Sequence, residues 1–155
     1  MNADHDHFMG LALEQARAAM EKGGRPISAL IVQNGAIVGQ GLNTVAADLD
    51  LSAHGEVTAI RDACAKLKTL DLSGSTLYSP MEPCPMCLWT ILEARIQRLV
   101  LGARHARVRR KDLQLGDYSV ESFLALTRRE LEVITGVREA ECERLRIAFL
   151  RSQSG

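Results

Sequence analysis

Residues 76–101 read TLYSPMEPCPMCLWTILEARIQRLVL, and this stretch decides the fold. Thr76 to Ser79 reads as a short strand delivering Pro80-Met81-Glu82, and Arg98 to Leu101 reads as a second strand. Between them Pro83-Cys84-Pro85-Met86-Cys87 opens a helix that runs on through Leu88, Ile91 and Leu92. Strand, helix, strand with a crossover of this length predicts a parallel pair, and such units bind ligands at the carboxyl ends of their strands. Cys84 and Cys87 are three apart at a helix start, so both sulfurs point to one side of its N-terminus. The positive end of that helix favours thiolates.

Upstream, Ala53-His54-Gly55-Glu56-Val57 supplies the other half of the site. One imidazole and two thiolates hold tetrahedral zinc and leave a fourth position open, where a water ionises near neutral pH. His54 and Glu56 are two apart and do not share a face of a regular helix, so Glu56 is read as flanking the metal, the position of a proton carrier. The alternative is a closed structural zinc site with a fourth protein ligand. Cys64 lies ten residues beyond His54 on the same helix, roughly 15 Å along its axis, too far to share the ion. Cys142 stays open as a ligand, although a buried free Cys in an amphipathic helix is ordinary.

Working outward, Phe8, Ala12, Ala16, Ala19 and Met20 recur at helical spacing, and Gly23-Gly24 ends that helix. His5 and His7 before it are read as part of a mobile polar tail and not as ligands. Ile27 to Val32 and Ala36 to Leu42 are strand-length apolar runs joined at Asn34-Gly35, the dipeptide of a type I′ hairpin turn. Asn43 ends the second strand, as a turn residue or as part of the site it leads into. A polar loop returns at Ser52, and Val57, Ile60, Cys64 and Leu67 form one helix face. Val120 to Leu126 is predicted helical, Leu131 to Ile134 a strand, and Glu139 to Leu150 an amphipathic helix.

The bulk properties fit these readings. At 155 residues and 46% hydrophobic composition the chain is expected to form a single domain over 1–155. It shows no signal segment and no apolar run long enough to span a bilayer, so a cytoplasmic protein with no membrane partner is expected. Four cysteines, two in a metal motif, suit a reducing compartment. Nineteen basic residues balance nineteen acidic ones, and Arg104 to Lys111 is the one basic cluster, of a kind usually found as a solvated loop.

H-x-E followed by P-C-x-x-C, in this order of elements, resembles the cytidine and deoxycytidylate deaminase superfamily. The similarity is closest to the branch containing tRNA adenosine deaminases, guanine deaminases and fungal-type cytosine deaminases. It covers nearly the whole chain, to Thr135-Gly136-Val137 and Glu141-Cys142. The resemblance implies a three-layer α/β/α fold with a five-stranded mixed sheet, a bound Zn2+ and, usually, a homodimer. It implies zinc ligation by His54, Cys84 and Cys87, with Glu56 as proton shuttle. Asn43 falls where the family hydrogen-bonds the substrate base, Gly55 beside the metal, and Ile27 on the pocket wall. Two departures stand out: Trp89-Thr90 where relatives carry Gly-Ala, and Ser28 where they carry Gly.

Trp89 is read either as core or as narrowing the pocket. Asp117, in Gly116-Asp117-Tyr118, is read either as part of a turn before a helix capped by Ser119 or as a contact for an exocyclic amino group. Balanced charge and an apolar slot formed by Ile27 and Trp89 favour a free nucleobase or related aminated heterocycle, guanine- or cytosine-like. A tRNA-specific adenosine deaminase is the alternative, with tRNA the less favoured partner, and a non-catalytic zinc module a minor one.

Overall fold

The computed structural model describes residues 3–108 and 115–154. Helix α1 (Ala3–Glu21) leads into strands β1 (Ser28–Gln33) and β2 (Ala36–Leu42), and the short α2 (Val45–Asp48) precedes α3 (Gly55–Leu67). Then come β3 (Thr76–Met81), α4 (Pro85–Glu93), β4 (Arg98–Ala103), α5 (His105–Val108), α6 (Val120–Thr127), β5 (Glu132–Ile134) and α7 (Glu139–Ser152). The five strands form one mixed sheet in the order β2-β1-β3-β4-β5. β1 runs antiparallel to β2 and β3, whereas β3, β4 and β5 are parallel. This is the three-layer α/β fold the sequence implied.

Local chemistry accounts for the boundaries. α1 stops where Gly24 N–H bonds Ala19 O and Gly23 N–H bonds Met20 O, a Schellman ending made easy by Gly23 at φ 85°. Asn34 and Gly35 take φ of 51° and 76°, both positive as the type I′ hairpin requires. Alternation along the strands sorts side chains to two cores. Ala29, Ile31, Leu77, Leu99 and Leu101 meet Ala59, Ile60 and Ala63 of α3 and Leu88 and Ile91 of α4. Leu30, Val32, Tyr78 and Val100 point the other way, onto Met9 and Leu13 of α1 and Cys142 of α7.

Helix α3 lies hard against β2. A methyl group added at Gly41 would stand 2.2 Å from Thr58 Oγ1 and 2.3 Å from Ala59 N, so this approach needs glycine. Thr58 Oγ1 then donates to Leu42 O, and Gln40 N–H donates to Asp62 Oδ2. On the opposite face, buried Ser28 donates from Oγ to Ala12 O at 2.6 Å, tying β1 to α1.

Two expectations are corrected here. The segment around His5 is not a mobile tail: α1 begins at Ala3, and His5 is buried with Nδ1 2.8 Å from Tyr78 Oη. The stretch from Arg104 is not simply a solvated loop: Arg104 to Val108 includes helix α5, whose His105 and Val108 are buried. Arg109, Arg110 and Lys111 lie outside the described residues. No helix among the described residues is long and apolar enough to cross a membrane.

Candidate active site

Two helix starts converge beyond the carboxyl end of β3. His54 is the N-cap of α3 and Cys84 the N-cap of α4, with Pro85 following it and Cys87 one turn inside. His54 Nδ1 lies 3.6 Å from Cys84 Sγ and 3.5 Å from Cys87 Sγ, and the two sulfurs are 3.6 Å apart. Tetrahedral zinc, with bonds of about 2.3 Å to sulfur and 2.0 Å to nitrogen, separates such ligands by roughly 3.5 to 3.8 Å. The three side chains therefore fit zinc as they stand. No second such cluster of His, Cys, Asp and Glu occurs among the described residues. Cys64 packs against one core and Cys142 is buried in the other, so neither completes a closed four-ligand site.

The electrostatics suit a cation. The hydrogen bond between the sulfurs, helped by His54, holds Cys84 well below the usual thiol range, while the same bond and burial push the Cys87 thiol up. The pair thus holds one proton that a metal ion displaces. Glu56 is only 3% exposed, and loss of water raises its carboxyl above the usual range. Its Oε1 accepts a hydrogen bond from Ser79 Oγ at 3.1 Å, and its Oε2 is 3.5 Å from Cys87 Sγ.

A narrow pocket of ≈ 40 Å³ opens onto this cluster, lined by Arg25, Ile27, Asn43, His54, Glu56, Met81, Glu82 and Cys84. Ile27 and Asn43 thus both stand on its wall. Asn43 also serves the turn, since its Oδ1 accepts a hydrogen bond from Val45 N–H at 3.3 Å. Gly55 sits beside His54 with its Cα face against the Ile27–Ser28 backbone, and Cys87 is buried behind the pocket.

Trp89 and Asp117 are not brought in. Trp89 is 45% exposed, packs edge-on to Phe123 and lies under the Arg129 guanidinium. Asp117 is exposed in the turn before α6, where Ser119 forms a capping box with Ser122.

Sequence reasoning missed the supports. Buried Glu82 accepts hydrogen bonds from His105 N–H and Val120 N–H, each at 2.9 Å, and pairs with Arg104 at 3.4 Å. Tyr118 donates its hydroxyl proton to Pro83 O, tying the segment before α6 to the cysteine loop. The position of Glu82 immediately before Pro83-Cys84 was the available signal for the first, and its far-off partners were not readable. Ser79 and Arg25 carried no signal beyond flanking a named element.

Residues 2–103 match the family described as the cytidine and deoxycytidylate deaminase zinc-binding region. The chain belongs to this family. It is a zinc-dependent hydrolytic deaminase acting on C–N bonds. It is 33% identical to the tRNA-specific adenosine deaminase of Buchnera aphidicola subsp. Schizaphis graminum, over 99% of each chain. With the guanine deaminase of Bacillus subtilis it shares 42% identity over 66% of each chain. Among solved structures, one from a study of A-to-I editing by tRNA:A34 deaminases superposes with a TM-score of 0.77 and 36% identity, covering 90% of this deaminase and 98% of that chain.

These relatives overturn the expectation of a free guanine- or cytosine-like base as substrate. In sequence, the end-to-end match is to a tRNA enzyme, whereas the sequence match to the guanine deaminase spans two thirds of the chain. Balanced charge was a poor guide to substrate because net charge says nothing about one face.

Proposed function

We propose that this deaminase converts adenosine to inosine within transfer RNA, at the wobble position, with Glu56 as the proton carrier and His54, Cys84 and Cys87 as the zinc ligands. The end-to-end similarity to a tRNA-specific adenosine deaminase carries the reading. The homodimer implied by the family and a cytoplasmic location belong to the same proposal.

When bound, zinc supplies a Lewis acid that makes a water nucleophilic near neutral pH. Glu56 takes that water's proton and gives it to the ring nitrogen beside the amino-bearing carbon. It then takes the second proton and hands it to the departing amine, so ammonia leaves and the carboxylate is restored. Ser79 shares its one hydroxyl proton between Met81 O at 2.6 Å and Glu56 Oε1 at 3.1 Å, which pins that side of the carboxylate to β3 and leaves Oε2 towards the metal cluster. Asn43 orients the base from the pocket wall and Ile27 packs on the ring.

The test is inosine formation in an anticodon stem-loop with adenosine at the wobble position, run beside free guanine and cytosine. Conversion of the RNA that drops at least 10²-fold in Glu56→Ala, with zinc retained, is expected. Turnover of a free base with no inosine in the RNA would overturn the assignment.

A further inference from the structure

The pocket of ≈ 40 Å³ is narrow beside the bulk of a nucleotide, so the sugar and phosphates of such a substrate must lie outside it. Directly beside it runs a groove of ≈ 630 Å³, and the two share Arg25 and Asn43 along their common rim. Lys22, Gly23 and Gly24 form one bank, Thr44 to Ala47 another, and Phe149, Leu150 and Gln153 of the α7 end the third. Two of the lining side chains, Lys22 and Arg25, are cationic and exposed, and no carboxylate among the described residues lines the groove. Asp48 stands on the far side of Lys22, in the neighbouring depression. Small residues on two banks leave the backbone open to close approach by a bulky anion.

We infer that this groove carries the sugar–phosphate chain next to the target nucleotide, with Arg25 contacting the phosphate nearest the pocket and Lys22 the next one along. The inference deepens the RNA reading above and rests on it. Arg25 is a specificity-determining residue here: it stands where the reacting base leaves the pocket, and a guanidinium there engages a phosphate through paired N–H groups. A bare nucleobase has nothing to offer it. The ligand chemistry is a phosphate ester, which a polynucleotide or a free mononucleotide can present.

The experiment uses the zinc-loaded full chain and compares wild type with Arg25→Ala, Arg25→Lys and Lys22→Ala. Substrates are the stem-loop, the same stem-loop with neutral methylphosphonates placed singly around the target, and adenosine 5′-monophosphate. Arg25→Ala should lower kcat/KM on the stem-loop roughly tenfold or more, mainly through KM, the scale of a charge-assisted hydrogen bond. The slope of log kcat/KM against log salt should flatten by about one for each cation removed. Arg25→Lys should recover part of the loss. One methylphosphonate position should cost wild type as much as Arg25→Ala does, and cost Arg25→Ala nothing more.

Unchanged KM and salt slope in both alanine variants, with wild type still editing the stem-loop, would overturn the groove assignment alone. Absence of inosine in wild type on the stem-loop would overturn the functional reading. In that case, Arg25-dependent turnover of the mononucleotide would keep the phosphate contact and assign it to a free nucleotide.

Discussion

Replacing Glu82 with glutamine removes one acceptor oxygen from a carboxylate that is buried and fully engaged. Its two oxygens receive His105 N–H and Val120 N–H, and Arg104 approaches at 3.4 Å. In Glu82→Gln an amide NH2 must face one of those buried N–H groups, and the surviving bond loses its charge. A hydrogen bond to a charged group contributes about 1.5–3 kcal/mol, and an orphaned buried donor costs a similar amount. With Arg104 still held by Glu121, a net loss of about 3 kcal/mol is expected. For a chain of this size that lowers Tm by roughly 6–12 °C. Thermal unfolding of the zinc-loaded protein by circular dichroism reads it directly. Arg104→Met, which leaves both N–H bonds intact, should cost much less. Because Glu82 joins the end of β3 to the starts of α5 and α6, the cysteine loop loosens too, and kcat/KM should fall with Tm. A Glu82→Gln protein melting within about 2 °C of wild type would refute the reasoning.

Three further outcomes are expected. Zinc added to the metal-free protein at pH 7 should displace one thiol proton and not two, because the bond between the sulfurs lowers Cys84 and raises Cys87, so that the pair shares a single proton; buffer-dependent calorimetry counts it, and release of two would contradict the pair. In Ser79→Ala, Glu56 loses a hydrogen bond that lowers its pKa, so the carboxyl pKa rises and the acid limb of the kcat/KM profile moves to higher pH; an unmoved limb would sink the positioning role of Ser79. Gly41→Ala forces α3 off β2, which should cost about 1–3 kcal/mol in denaturant unfolding and reduce turnover by displacing His54 and Glu56; full activity with unchanged stability would show that α3 has room to give.

Much of the fold and site was legible because the deciding signals are local. Asn34-Gly35 announces its hairpin, Pro85 its helix start, and the spacing of Cys84 and Cys87 sets one face of α4. That spacing also carried an unused warning. Trp89, two residues beyond Cys87, is turned by roughly 200° around the helix and cannot share the cysteine face. What stayed hidden depends on partners far along the chain. His5 is buried because Tyr78, 73 residues later, receives it. Arg104 and Arg107 look like a free basic cluster until Glu82, Glu121 and Glu143 fold back onto them. The expectation of a free base as substrate rested on a sum of charge over the sequence, which carries no information about which ring or chain a pocket receives; the end-to-end similarity to a tRNA enzyme does.

The close seating of α3 on β2 has a consequence for solubility. β2 is an outer strand of the sheet, and an outer strand offers unpaired N–H and C=O groups on which another chain can build. Here the helix answers two groups of that row, with Asp62 accepting the Gln40 N–H and Thr58 donating to Leu42 O. The opposite border is β5, only three residues long and too short to template much. The two glycines of β2, Gly39 and Gly41, thus bring the catalytic helix near the metal and also guard the protein against strand-by-strand self-association and aggregation.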